Sequence, residues 1–275
     1  MNIAPSVSPA NAASRKHPEQ ERFSPIRGIY PLQRHVREFG ASAVNAFDLD
    51  AWRHATTLNW LGTRLVVRSG EVRVALRHIA GDGTVTVLAR LQQSGPGTQV
   101  FPPLRLADLD GALLPEVEHA APGSSYDIDF VTDDQPVSPH LRINYIFCTF
   151  KRAEYVQHNA DVFRDYIRRR QAGNEAHLTV VDNGSGSEDS ACGVQPDANV
   201  SVFANGNTGG AGGFGRGIYE SCYGAQAEQG FTHVCLLDDD IYLHPEMFAR
   251  NTAFMRFLKP GFHVGAPMYP ASSQN

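Results

Sequence analysis

The chain has 275 residues, 42% hydrophobic and 19% charged, with a formal net charge of −5. These proportions fit a globular protein with room for two domains, and the acidic balance argues against a general nucleic-acid binder, which carries a basic stripe. No apolar run reaches the ~18 residues needed to span a bilayer.

Residues 1–28, rich in Pro, Ser, Ala and Asn, read as a disordered lead-in without the apolar stretch of a secretory signal. Cys148, Cys192, Cys222 and Cys235 form no C-x-x-C pair and read as reduced, packed thiols. Both features lead to the expectation of a cytoplasmic protein.

From 29 to 140 the signal is β. "TRLVVRSGEVRVALRHIAGDGTVTVLARL" predicts three strands with turns at "SGE" and "AGDG". Val72, Val74 and Leu76 alternate with Arg73, Ala75 and Arg77, giving one buried and one wet face. "SSYDIDFV" alternates likewise. Short strands joined by Gly-rich turns predict an all-β sandwich or small barrel. Pro136 and Pro139 mark a linker.

From 141 to 275 the pattern changes. "LRINYIFCTF" is a continuous apolar run, as in a strand buried on both faces. Val156, Ala160, Phe163 and Ile167 follow at helical spacing, with Gly173 as the stop. Arg168, Arg169 and Arg170 read as a solvated last turn rather than an anion patch. Strands "HLTVV", "NVSVF" and "THVCLL" then alternate with a loop, a Gly-rich loop before a helix, and "DDD" before a helix opened by Pro245. Alternating strands and helices predict a mostly parallel, Rossmann-like α/β sheet.

Ligands of such sheets bind outside the carboxyl ends of the strands. Polar groups gather there: Thr149, Lys151 and Arg152 after the first strand, Asp182 and Asn183 after the second, Asn205 and Asn207 after the third, and Asp238, Asp239 and Asp240 after the fourth. In an extended chain Asp238 and Asp240 share a face while Asp239 points away. Two converging carboxylates without nearby His or Cys suit Mg²⁺ or Mn²⁺ bridging to a diphosphate, and a solvated acidic turn is the alternative. His244, four residues past Asp240, could join a metal site, but as the residue opening the last helix it reads rather as a capping or surface histidine.

"NGNTGGAGGFGRG" (205–217) spells G-x-G-x-x-G at Gly210, Gly212 and Gly215. A dinucleotide turn normally follows the first strand, with an acid at the end of the second, and neither condition is met. A mobile surface loop and a loop approaching a bound nucleotide sugar are the other readings.

Together "FCTFKR", "VVDNGSG", "NGNTGGAGGFGRGIYE" and "LLDDDIYLHPE" resemble family 2 glycosyltransferases, most of all bacterial galactofuranosyltransferases of the mycobacterial type. The β region, including "VNAFDLDAWRHAT", is similar to that family's N-terminal domain. The resemblance implies a GT-A-like α/β domain, incomplete in this chain, preceded by an all-β sandwich-like domain. It also implies transfer of galactofuranose, with inversion, from UDP-galactofuranose to a hydroxyl of a glycan or lipid-linked glycan, at the inner membrane face where the acceptor is lipid-linked. By the same resemblance Arg152 would hold the nucleotide, Asp182 the uracil, and Asn207 with Gly209 and Gly210 the uridine. Asp238 and Asp240 would bind Mn²⁺ or Mg²⁺, with Asp239 beside the sugar. The family's catalytic aspartate, tryptophan pair and late histidine lie well C-terminal of these aspartates. This chain runs 35 residues past Asp240, and Trp52 and Trp60 both precede residue 141. The expectation is a donor-binding half whose base lies beyond Asn275, with an apolar sheet face left exposed. A rhamnosyltransferase and a non-catalytic nucleotide-sugar or glycan module share the donor-site logic.

Overall fold

The computed structural model describes residues 30–31, 46–184 and 192–265. The predicted lead-in and most of the loop after Asn183 lie outside the described residues. The N-terminal half holds two antiparallel sheets. One runs β1 (Tyr30–Pro31), β9 (Ser125–Val131), β3 (Trp60–Ser69), β6 (Gly97–Val100), with β7 (Leu104–Arg105) also on β3. The other runs β2 (Phe47–Asp48), β8 (Ala112–Ala120), β4 (Glu71–Ile79), β5 (Val85–Ser94). A short helix, α1 (Leu49–Ala55), follows β2, capped by Asp48 accepting from Ala51 N.

Leu61, Leu65 and Val67 of β3 and Phe130 of β9 meet Val72, Val74 and Leu76 of β4 and Leu113 of β8 in one core between the sheets. Ala75 departs from the expected wet face: it is fully buried. It pairs in register with Arg90 and Glu116, and the ion pairs Arg77–Glu116 and Arg90–Glu118 run across this face. A methyl group is too short to emerge beside such long side chains.

The second half is a four-stranded parallel sheet ordered β12 (Val200–Ala204), β11 (Ala176–Asp182), β10 (Ile143–Thr149), β13 (His233–Leu237). Helix α2 (Ala153–Arg170) buries Val156, Asn159, Ala160, Phe163 and Tyr166. Its left-handed cap is Gln171 (φ 53°) rather than Gly173, and Arg168 and Arg169 pair with Asp165 in a solvated last turn. Tyr145 of β10 stacks edge-on against Phe163 of α2 and Phe248 of α4 (Pro245–Phe257). Asn144, Ile146 and Cys148 face α3 (Gly209–Cys222) on the other side of the sheet.

β13 is an edge strand. Val234 and Leu236, opposite Asn144 and Ile146 on the α3 face, remain 38% and 47% exposed. Among the described residues, no helix is long and apolar enough to cross a membrane, and all four cysteines are free.

Beneath α3 lies a buried polar chain. Asn144 Nδ2 donates to Ser221 Oγ (2.7 Å), Thr179 Oγ1 lies 3.0 Å from both Asn144 Oδ1 and Gln226 Oε1, and Gln226 Nε2 donates to His177 Nε2 (3.0 Å). His177 Nε2 also lies 3.0 Å from Ser201 Oγ; the ring must stay neutral to accept from Gln226, and among the described residues its Nδ1 is buried without a partner. Burial lowers its pKa from 6.5 to about 4, and the Arg142 charge adds to the shift. Below pH 6.5 the unfolded chain therefore takes up a proton that the native protein refuses. Stability should fall as pH drops from 6.5 towards about 4, and His177→Gln should flatten that part of the slope. Urea unfolding midpoints measured across this range test the expectation; equal slopes in both proteins would refute it.

The last helix joins the two halves. Phe248 of α4 packs into the α/β core, while Ala253 and Phe257 enter the β core and Phe254 lies edge-on to Trp52 (4.8 Å). Thr57 N donates to Phe257 O, and Lys259 N to Ala55 O (both 2.8 Å). Arg256 Nη2 adds an ion pair with Glu175 (2.7 Å).

Candidate functional site

The strand order places β11 and β12 on one side of β10 and β13 on the other. The chain thus crosses from one side of β10 to the other, and the β10–α2 and β13–α4 loops meet at this reversal, where sheets of this kind bind ligands at the carboxyl ends of their strands. Lys151 in the first loop adopts a left-handed backbone (φ 57°), an uncommon conformation for a residue with a Cβ. That turn reverses the chain so that Phe150 N donates to Asp239 Oδ2 (3.3 Å). Arg152 lies with Nε 3.7 Å from Asp239 and Nη2 3.5 Å from Asp240.

The aspartates follow the end of a strand rather than lying within it: β13 ends at Leu237, and Asp239 and Asp240 lie in a turn. Asp239 is half-buried and drawn inward to Phe150 N and Arg152, while Asp238 and Asp240 are both exposed, Asp240 beside Arg152.

Across β10, an amide cluster closes the ends of β11 and β12. Asn183 Nδ2 donates to Gly209 O (3.1 Å) and approaches Cys148 Sγ (3.3 Å), and Asn183 Oδ1 accepts from Asn205 Nδ2 (2.7 Å). Asn205 also reaches Thr208 Oγ1 (3.2 Å). Asp182 is buried, and its two carboxylate oxygens accept from Gly184 N (2.9 Å) and Cys192 N (3.0 Å), closing the base of the intervening loop. Asn207 Oδ1 accepts from Gly209 N (3.2 Å), a side-chain turn just ahead of the helix, whose N-cap is Thr208. Cys148 stands between the two groups. Burial raises its thiol pKa, and the Asp239 charge raises it further.

The glycine stretch is helix, not loop: α3 begins at Gly209, and only 205–208 connect it to β12. The glycines serve packing and approach differently. A Cβ on Gly213 would overlap Cys148 Sγ, and one on Gly217 would overlap Ile146 Cγ2, so α3 lies against β10 at a distance only glycine permits. Gly210 and Gly215 face open space, and Gly209 has φ 70°. The α3 N-terminus thus presents backbone N–H groups and partial positive charge at the rim, a setting suited to an anion.

Of the residues selected from sequence, Arg152, Asp239 and Asp240 meet in one group with Asp238 at its edge. Asn207, Gly209, Gly210 and Asp182 belong to the amide group. Asn183, Asn205 and Lys151 were visible in the sequence only as strand-end polar residues. Their joining roles depend on strand order and on a left-handed turn, which local pattern does not encode. Cys148 carries no sequence signal beyond its place in an apolar run.

Among the described residues, no three His, Cys, Asp or Glu side chains converge as a ready ligand set. A divalent ion held through a diphosphate needs only one or two carboxylates, the phosphates and water supplying the rest. Asp238 and Asp240 carry hard oxygen donors of the type such a site uses. His244 does not join it: it opens α4, with Nδ1 accepting from Glu246 N (3.3 Å). A separate cleft of about 340 Å³ lies between α1 and β7. Its Lys259 and Arg53 already donate to backbone carbonyls, and it is lined by none of the strand-end residues.

No family model matches the chain, and no curated protein matches it. A solved structure of a siderophore-interacting protein from Acinetobacter baumannii covers 66% of this chain and 78% of its own at 8% identity, with a TM-score of 0.20, a likeness too slight to carry an argument.

Proposed function

We propose that the protein binds a nucleoside-diphosphate sugar across the carboxyl ends of its parallel sheet, as the donor-binding part of a metal-dependent, GT-A-type glycosyltransferase. The observation that carries this reading is the meeting of Arg152, Asp239 and Asp240 at the point where strand order reverses, with the N-terminus of α3 across β10. Cations and helix N–H groups suit the diphosphate, and the carboxylates suit a bridging divalent ion.

In this reading Arg152 leaves Asp240 to pair with a phosphate. Asp239 keeps Phe150 N and the β10–α2 loop in place. Asn207 and the first turn of α3 contact the uridine, and Asp182 holds the loop beside the uracil. Mn²⁺ or Mg²⁺ on Asp238 and Asp240 would neutralise charge on the departing UDP. Galactofuranose as the sugar, transferred with inversion to a glycan or lipid-linked hydroxyl, follows from the family resemblance alone.

Titration calorimetry of UDP with and without Mn²⁺ tests the proposal. Binding that strengthens about tenfold or more with the metal is expected. UDP that fails to bind, or binds alike in both conditions, would refute it.

A further inference from the structure

Beside the β10–α2 and β13–α4 loops three aromatic side chains form a small cluster, with His158 and Tyr242 exposed and Tyr155 half-buried. Tyr155 and His158, one turn apart on α2, each lie 5.2 Å (ring centroids) from Tyr242, Tyr155 at 42° and His158 edge-on. Tyr242 is 56% exposed and follows Asp240 by two residues. Its loop is not free to move away. Asn159, buried in α2, donates through Nδ2 to Ile241 O (2.7 Å) and accepts through Oδ1 from Leu243 N (3.0 Å), pinning both peptide neighbours of Tyr242. An exposed aromatic ring mounted on a doubly fixed backbone is preorganised for contact.

Position and chemistry indicate the occupant. The amide groups suited to reading a base stand at β11 and β12, whereas Tyr242 stands on the loop after β13, two to three strands across the sheet or roughly 10–15 Å at the ~4.8 Å strand spacing, and Tyr155 and His158 meet it from α2. A nucleotide running from the amides to the aspartates has its base at the far end, so the rings face what lies beyond its diphosphate. All three rings combine an apolar face with a hydrogen-bonding edge, matching the C–H face and hydroxyl rim of a sugar. Three side chains are far too small an area for a protein partner, which needs ~800 Å² per side.

We propose that Tyr155, His158 and Tyr242 form a saccharide-stacking platform that receives the acceptor glycan beside the aspartates. The assignment rests on the donor-site reading for the identity of its neighbour, but not for its own test. Saturation-transfer NMR with a β-linked galactofuranosyl trisaccharide, alongside UDP–Mn²⁺ calorimetry, is performed on the full chain, Tyr242→Ala, Tyr155→Ala and Tyr242→Trp. Expected results are transfer to the wild type, about tenfold weaker trisaccharide binding in both alanine variants, retention in Tyr242→Trp, and unchanged UDP affinity throughout. Tyr242 is exposed, so its variants should keep the wild-type unfolding midpoint. No transfer to the wild type, or equal trisaccharide binding in both alanine variants, would overturn the platform. A parallel fall in UDP affinity would overturn it too, by assigning the rings to the nucleotide. Trisaccharide binding lost in Tyr242→Ala when the wild type binds no UDP would leave the platform standing and remove the donor site.

Discussion

Replacing Asp238 or Asp240 by alanine should change UDP affinity in opposite directions with and without Mn²⁺. With the metal, removing a carboxylate ligand should weaken binding by at least about tenfold, since even outer-shell changes at metal sites cost 10–100-fold. Without it, the same change removes a negative charge from beside a diphosphate, and affinity should hold or rise. Asp239→Ala should behave differently. Asp239 fixes Phe150 N and faces Arg152, so its loss should weaken UDP binding whether or not metal is present. Calorimetry on the three variants in both conditions separates these roles. Asp238→Ala and Asp240→Ala that bind UDP–Mn²⁺ like the wild type would exclude the metal site.

The second large effect concerns the glycines of α3. Gly213→Ala and Gly217→Ala should destabilise the fold by about 1–3 kcal/mol, as overpacked core positions do. They should do so although alanine is favoured over glycine in a helix by up to about 1 kcal/mol. The new Cβ atoms would overlap Cys148 Sγ and Ile146 Cγ2. Gly215→Ala, facing open space, should instead gain several tenths of a kcal/mol. Cys148→Ala should partly rescue Gly213→Ala, and urea unfolding of single and double variants measures the coupling. Gly210→Ala should leave stability intact and weaken UDP binding, because its space is open to the rim rather than filled by the sheet. If Gly213→Ala stabilised the protein as Gly215→Ala does, close helix–strand packing would not be the reason for the glycines.

Much of the architecture was legible because burial writes a period into the sequence. The strands of 60–94, the apolar run of β10 and the helical spacing of Val156, Ala160 and Phe163 all read directly. The glycine stretch did not, because glycine lowers helix propensity and its G-x-G pattern suggests a turn. What holds it helical is the sheet beneath, through Cys148 and Ile146, a tertiary cause. The aspartates were legible as a cluster but not in their contacts. The approach of Asp239 to Phe150 N and Arg152 depends on the left-handed turn at Lys151, which local pattern does not encode. Asn183 could not be ranked above its neighbours, since its value comes from touching β10, the 205–208 loop and α3 together. The rings of Tyr155 and Tyr242 are 87 residues apart in sequence and meet only because β13 lies beside β10.

Helix α4 connects these parts in a further way. Its first turn hangs from the aspartate loop, its middle fills the α/β core, and Phe257 closes the β core. The two halves therefore share a structural member rather than a mere boundary. Melting either should strip apolar cover from the other, so heat should unfold the described chain in one cooperative transition. Ligand held at the aspartates would then raise the melting temperature of β sheets more than 100 residues upstream, and neither half is a natural unit for excision.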